Sequence, residues 1–287
     1  MGSNISIRIA FESVMINWIK SSCKANGIKL HYLRTGGNKP SVVLLHGLMG
    51  SGACWAPLAR TLAKDYDVIM PDARGHGHSD APNHGYSYNE LAADVVEFIH
   101  ALGIAAPVLL GHSMGGMTAA VVASQNPDLL RGLILADPTF LTPQRQREVY
   151  ESDVADQHRR ILKRTEEDFL AELRIKRSRR LPEIIELLAQ ARFQTSIHAF
   201  EILRPPNPDY RTLISALDLP SLLVIGDVGS VVSPEMASEL VEFNRHLGVV
   251  QIAEAGHGLH YDQPERFSTA VQTFLPSVYR RMKNEIN

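Results

Sequence analysis

"LLGHSMGG", residues 109–116, is the stretch on which the fold turns. It joins a continuous apolar run, "APVLLGHS", to "MGGMTAAVVASQNP", which reads as a helix until Asn126-Pro127 stops it. A strand passing directly into a helix, with Gly111, Ser113 and Gly115 at the bend, is the context in which a serine serves as nucleophile. So sharp a turn forces the serine backbone into a strained region, at a cost of about 1–3 kcal/mol. The flanking glycines remove side chains that would collide. The hydroxyl then emerges at a helix N-terminus, where unpaired N–H groups favour negative charge. A glycine-rich turn with an inert serine is the plainer reading, and the strand before and helix after argue against it.

Outward from this bend the same rhythm repeats. "SVVLLHG", "YDVIMPD", "LRGLILADP", "LPSLLVIGD" and "VVQIAEAGH" read as strands, the last of them running to His257. "SSCKANGIKLHYLRTGG" reads as a hairpin turning at Asn26-Gly27. "SYNELAADVVEFIHALG" is a helix with Ser87 as N-cap and Gly103 past its end, and "SPEMASELVEFNRHLG" is another. Pro264 opens a closing helix. The expectation is an α/β fold: a mostly parallel sheet of about eight strands with helices on both faces. Residues 140–209 break the rhythm with helical patterns alone, so they read as an inserted helical cap. The core is then 1–139 and 210–287.

Composition narrows the class. The chain has 287 residues, 45% of them hydrophobic, enough for one large domain or one with an insertion. Its formal net charge of −2 offers no field for nucleic acid or an acidic membrane surface. Cys23 and Cys54 lack disulfide or zinc-ligand spacing, which points to a reducing cytoplasm. No metal cluster or G-x-G-x-x-G fingerprint stands out, so neither metal nor cofactor is expected. The partner is a small-molecule substrate, with a homodimer left open. "MGSNIS" matches the loose myristoylation pattern, but residues 1–14 also suit a tag or extension, with Met15 as the native start.

Chemistry is then assigned piece by piece. In "LLHGLMG" (44–50) the backbone N–H of Leu48 is placed to receive a developing oxyanion, with the N–H of Met114 as partner. His257, in "AEAGHGLHYDQPERF", is the candidate general base. His260 is its rival. His112 is held beside the serine and points elsewhere, while His46, His76 and His78 read as structural. Asp72, Asp80 and Arg74 are read as fastening the "PDARGHGHSD" loop. Trp55 either packs in the core or lines the pocket. The basic runs "HRRILKR" and "RIKRSRR" read as solvated helix faces, from which one arginine could reach a substrate carboxylate.

"HGLMGSGACW", "DARGHGHSD", "GHSMGG" and "AGHGLHYDQPERF" occur together in an order and spacing that resemble the α/β-hydrolase family, over about residues 20–280. The resemblance implies a Ser–acid–His triad. It sets the chain apart from epoxide hydrolases and haloalkane dehalogenases, which carry Asp where this chain has Ser113. It also implies an acid after the penultimate strand, in a G-x-x-D pattern, yet counting from Gly226 that seat holds Gly229. Asp227 is the nearest carboxylate there. Asp137, ending "LILADP", is the other solution, since pancreatic-type lipases and zearalenone-type lactonases resemble a variant with the acid after that strand. Asp137 is favoured and Asp227 kept as the alternative. The implied activity is hydrolysis of an ester, lactone or amide. A carbon–carbon bond hydrolase and a hydrolase-like ligand sensor with little turnover are the rivals.

Overall fold

In the computed structural model, which describes residues 18–285, eight strands form a single sheet in the order β1-β2-β4-β3-β5-β6-β7-β8. The myristoylation pattern and Met15 lie outside the described residues. β1 (Ile19–Ala25) and β2 (Ile28–Arg34) form an antiparallel hairpin, and β2 pairs antiparallel with β4 (Asp67–Pro71). The turn residues Asn26 and Gly27 both have positive φ, 47° and 78°, as a two-residue hairpin loop demands. All remaining pairings are parallel, through β3 (Ser41–Leu45), β5 (Val108–His112), β6 (Gly132–Ala136), β7 (Ser221–Gly226) and β8 (Leu247–Ile252).

Continuous apolar strands follow from burial on both faces. Val43, Leu45, Leu109, Leu133, Leu135 and Leu223 point into one core, and the alternating Val42, Leu44, Val108, Leu110, Ile134 and Val224 into the other. The first core is covered by α2 (Tyr88–Ala101) and α3 (Met114–Gln125). The second is covered by α1 (Ala56–Leu62) and α11 (Pro264–Glu285). Serines close the helix starts: Ser87 Oγ accepts the Glu90 N–H.

Between β6 and β7 the chain is helical: α4 (Pro143–Tyr150), α5 (Val154–Ile161), α6 (Glu166–Lys176), α7 (Pro182–Phe193), a 3-10 stretch at Ile197–Leu203, and α8 (Tyr210–Ser215). No strand occurs there. Helix α9 (Pro234–Phe243) follows β7. The last strand is shorter than the sequence suggests. It ends at Ile252, and Glu254 at φ 60° turns the chain, so His257 sits in a loop ahead of the short α10 (Leu259–Asp262). The reason is position: β8 is an edge strand with half its residues exposed, and nothing pairs its far side to extend it.

The glycines of the bend are spatial requirements. A Cβ on Gly111 would run into the Gly115 carbonyl, and one on Gly115 into the carbonyls of Leu45 and His46. By contrast, a Cβ on Gly103, at φ 59°, meets nothing within 4 Å. We expect Gly111→Ala and Gly115→Ala each to cost more than about 2 kcal/mol, the range of overpacked sites, and Gly103→Ala about 1 kcal/mol from backbone strain alone. Urea unfolding of the three variants checks the order; equal losses would refute it.

Candidate active site

Ser113 stands between β5 and α3 with φ 54° and ψ −117°, a conformation that a non-glycine residue holds only when its surroundings impose it. Here the imposing contacts are visible. Ser113 N–H donates to the Ala136 carbonyl (3.1 Å), and its own carbonyl accepts the Met117 N–H (3.0 Å), the first turn of α3. The residue is buried, at 7% exposure.

His257 reaches this hydroxyl from the loop after β8. Its Nε2 accepts from Ser113 Oγ at 2.9 Å, and its Nδ1–H donates to Asp137 Oδ2 at 2.6 Å. The Asp137 carboxylate is fully buried and filled by three donors. Besides the imidazole, the N–H groups of Val231 and Val232 donate to Oδ2 and Oδ1, each at 2.9 Å. Asp137 itself lies at φ 41°, just past β6, and its N–H donates to the Val224 carbonyl at 2.9 Å. The structure thus brings Ser113, His257 and Asp137 into one line. Asp227 is not part of it: its side chain is exposed and accepts the Ala255 N–H at 3.2 Å.

His260 is not placed to compete. It is buried, 4.4 Å from the Trp55 ring in a stacked arrangement, with neither ring nitrogen hydrogen-bonded. Burial first, then the neighbouring His112, holds its pKa well below the ordinary histidine range. His112 turns away from Ser113, and its Nε2–H donates to the His257 carbonyl at 2.8 Å. Trp55 is therefore a core residue that supports this stack. Asp262 accepts the Gly256 N–H (3.2 Å) and takes both Nε and Nη2 of Arg180 (2.8 Å). An arginine of the helical segment so braces the histidine loop next to His257. The sequence placed it in a solvated cluster.

The Leu48 turn is built on two more neutral histidines. His46 Nδ1–H donates to the Gly47 carbonyl (2.8 Å), while its Nε2 accepts the Ala73 N–H (3.0 Å). His76 Nδ1–H donates to the Arg74 carbonyl (2.9 Å), and its Nε2 accepts the Met49 N–H (3.3 Å). Gly47 packs so closely that a Cβ there would lie 3.1 Å from the Ser113 Cβ. No acceptor among the described residues meets the Leu48 N–H, and Met114, first residue of α3, has no intrahelical acceptor for its own. Arg74 and Asp72 fasten the following loop. Arg74 pairs with Asp94 (2.5 Å), and Asp72 accepts from the N–H groups of Gly52 (2.7 Å) and His78 (2.9 Å).

A recess of about 340 Å³ opens between α4 and the loop after β7, lined by Tyr88, Thr139, Leu141, Arg145, Gly229 and Val231. Thr139, one of its lining residues, donates its N–H to the Ser113 carbonyl at 3.3 Å. Among the described residues no group of three or more His, Cys, Asp or Glu could hold a metal ion, and no helix is long and apolar enough to cross a membrane.

Residues 40–264 match the model of the alpha/beta hydrolase fold. The chain belongs to the α/β-hydrolase family, and it is a hydrolase. N-formylmaleamate deformylase of Pseudomonas putida is 30% identical over 256 residues, covering 88% of this chain and 94% of that protein. A crystal structure of N-formylmaleamic acid deformylase from Pseudomonas putida S16 superposes with a TM-score of 0.76 at 27% identity, covering 88% of this chain and 100% of that one. The enol-lactonase of Burkholderia xenovorans LB400 gives 0.73 at 25% identity, covering 89% and 100%.

The buried histidines have a consequence in acid. Burial lowers the pKa of His46 and His112, and that of His76 to about 3, so all three stay neutral where the unfolded chain's histidines, near 6.5, take up protons. The native state then binds fewer protons than the unfolded one. Their contribution is complete above about pH 6.5 and is lost as pH falls below it, at up to about 1.4 kcal/mol per pH unit for each group. Urea midpoints should be flat from pH 8 to 7 and fall steadily below 6.5. His76→Gln should flatten that slope between pH 6 and 4, and an unchanged slope would remove His76 from this role.

Proposed function

We propose that the protein hydrolyses a carboxylic ester, lactone or amide of a small organic molecule through an acyl-enzyme on Ser113. The observation that carries this is the continuous hydrogen-bonded line from Ser113 Oγ through His257 to the buried Asp137. In this reading Oγ attacks the substrate carbonyl carbon as its proton passes to His257 Nε2. Asp137 holds the imidazole in the Nδ1–H tautomer and stabilises the imidazolium. The N–H groups of Leu48 and Met114 receive the oxyanion, each worth roughly 3 kcal/mol in the transition state.

Collapse of the tetrahedral intermediate breaks the bond to the leaving group, which takes the proton from Nε2. Water then enters, gives a proton to the same nitrogen and attacks the acyl carbon. The second intermediate breaks at Oγ, which recovers its proton, and the acid departs. The relatives named as a deformylase and an enol-lactonase support cleavage at a carbonyl, by C–N or C–O scission.

The test is hydrolysis of short p-nitrophenyl esters by the wild type and three variants. Ser113→Ala should abolish turnover. Asp137→Asn should lower kcat by on the order of 10³–10⁴-fold through the wrong imidazole tautomer. Asp227→Asn should stay within about threefold, as expected for an exposed side chain away from the line. Damage from Asp227→Asn with a silent Asp137→Asn would overturn the assignment of the acid. A wild type no faster than Ser113→Ala would overturn acyl transfer to these esters, in favour of carbon–carbon cleavage or ligand sensing.

A further inference from the structure

The arginines of residues 140–209 fall into two groups, with one exception. Arg147, Arg177 and Arg179 are exposed to water. Arg145, Arg159, Arg160, Arg164, Arg174, Arg180 and Arg204 each have a carboxylate within 2.9 Å. Arg192 has neither full solvation nor a carboxylate. It lies at the end of α7, half-buried, with its Nε buried and unpartnered, and its guanidinium rests on the thioether sulfur of Met49. No carboxylate among the described residues pairs with it.

Its place is fixed by packing. Ile184, Leu187 and Ala191 of α7 sit in the same core as Cys54 and Trp55, which anchors the helix beside the turn that begins at His46. Met49 is the residue after Leu48, at φ 68°, with its N–H tied to His76. The guanidinium therefore stands one residue beyond the amide assigned to the oxyanion, and that turn abuts Ser113.

A guanidinium stays protonated even when partly desolvated, and thioether sulfur is a weak acceptor that cannot offset the lost hydration. Burial lowers the Arg192 pKa to about 10, with no acidic neighbour to raise it. A charge held in this way is satisfied by an anion that arrives from outside, and a planar fork of N–H donors fits a carboxylate.

We propose that Arg192 binds a carboxylate carried by the substrate itself, so that the natural substrate is an anionic acyl compound with a carboxylate a few atoms from the scissile carbonyl. The inference rests on the reading of Ser113 as the acyl acceptor. It adds a specificity residue that lies outside both basic clusters of the sequence.

Two esters of matched length, mono-p-nitrophenyl adipate and p-nitrophenyl hexanoate, test it. The wild type should favour the anionic ester in kcat/KM. Arg192→Gln should lower the anionic-to-neutral ratio by about 10–100-fold, mainly through KM, as expected when a charge-assisted contact is removed. Arg192→Lys, which keeps the charge and guards against a folding defect, should recover part of the ratio. An unchanged ratio in Arg192→Gln, or no preference in the wild type, overturns the proposal.

A binding measurement separates its failure from that of the acyl-transfer reading. Calorimetric titration of Ser113→Ala protein with adipate should show binding that Ser113→Ala/Arg192→Gln lacks. If the wild type hydrolyses neither ester, acyl transfer fails while this titration still decides the anion site. Equal binding to both proteins, or none to either, rejects it.

Discussion

One carboxylate without contact to water ties the ends of three strands together. Asp137 closes β6, and its two oxygens are held by consecutive amides of the loop after β7 and by the imidazole of the loop after β8. Stranding such a group without partners would cost several kcal/mol, because desolvation would no longer be offset. Each donor is therefore obligatory, and each fixes a loop. Val231 and Val232 set the path of the β7 loop, and His257 cannot swing outward without exposing the charge to an incomplete shell. The strained backbone at Ser113 is stabilised by the same ring of contacts, since its N–H bonds to Ala136, the residue before Asp137.

The helical segment adds a second brace. Arg180 reaches the loop of His257 through Asp262, whose other oxygen takes the Gly256 N–H. A hydrogen-bonded ion pair at the rim of a site is worth little by itself when exposed. Here the arginine is largely shielded, lies 5.3 Å over the Tyr261 ring, and would touch any side chain at Gly258. The loop beside the imidazole is thus held from the segment above as well as from the sheet below.

Much of this was legible in the chain, for identifiable reasons. The strands around Ser113 are buried on both faces, so they read as unbroken apolar runs. The hairpin at Asn26-Gly27 was marked by residues that tolerate positive φ. The meeting of Asp137 with His257 was legible because Gly229 leaves the seat after β7 without a carboxylate, while β6 ends beside the bend. The end of β8 was not legible: an edge strand alternates weakly and fades, and "AEAGH" continues its pattern past the point where pairing stops. Arg192 was also missed. It sits singly in "LLAQARF", on a helix whose other inward residues are apolar, and nothing in spacing distinguishes a buried unpaired arginine from one that lies along the surface.

That Asp137 rather than Asp227 meets His257 has a simple geometric basis. β6 and β7 are adjacent parallel strands roughly 4.8 Å apart, with Ala136 opposite Val224, and β7 runs two residues further, to Gly226. The residue that follows β6 therefore lies beside the loop after β7, and Asp137 meets His257 from there at 2.6 Å. With the carboxylate on β6, the loop after β7 keeps Asp227 turned outward to the Ala255 N–H and offers the backbone amides of Val231 and Val232 to Asp137. Gly229 at φ 64°, with nothing within 4 Å of where a Cβ would stand, is compatible with that path. The loop after β7 thus binds the Asp137 carboxylate through its backbone, and the hydrogen-bonded line from Asp137 through His257 to Ser113 is continuous.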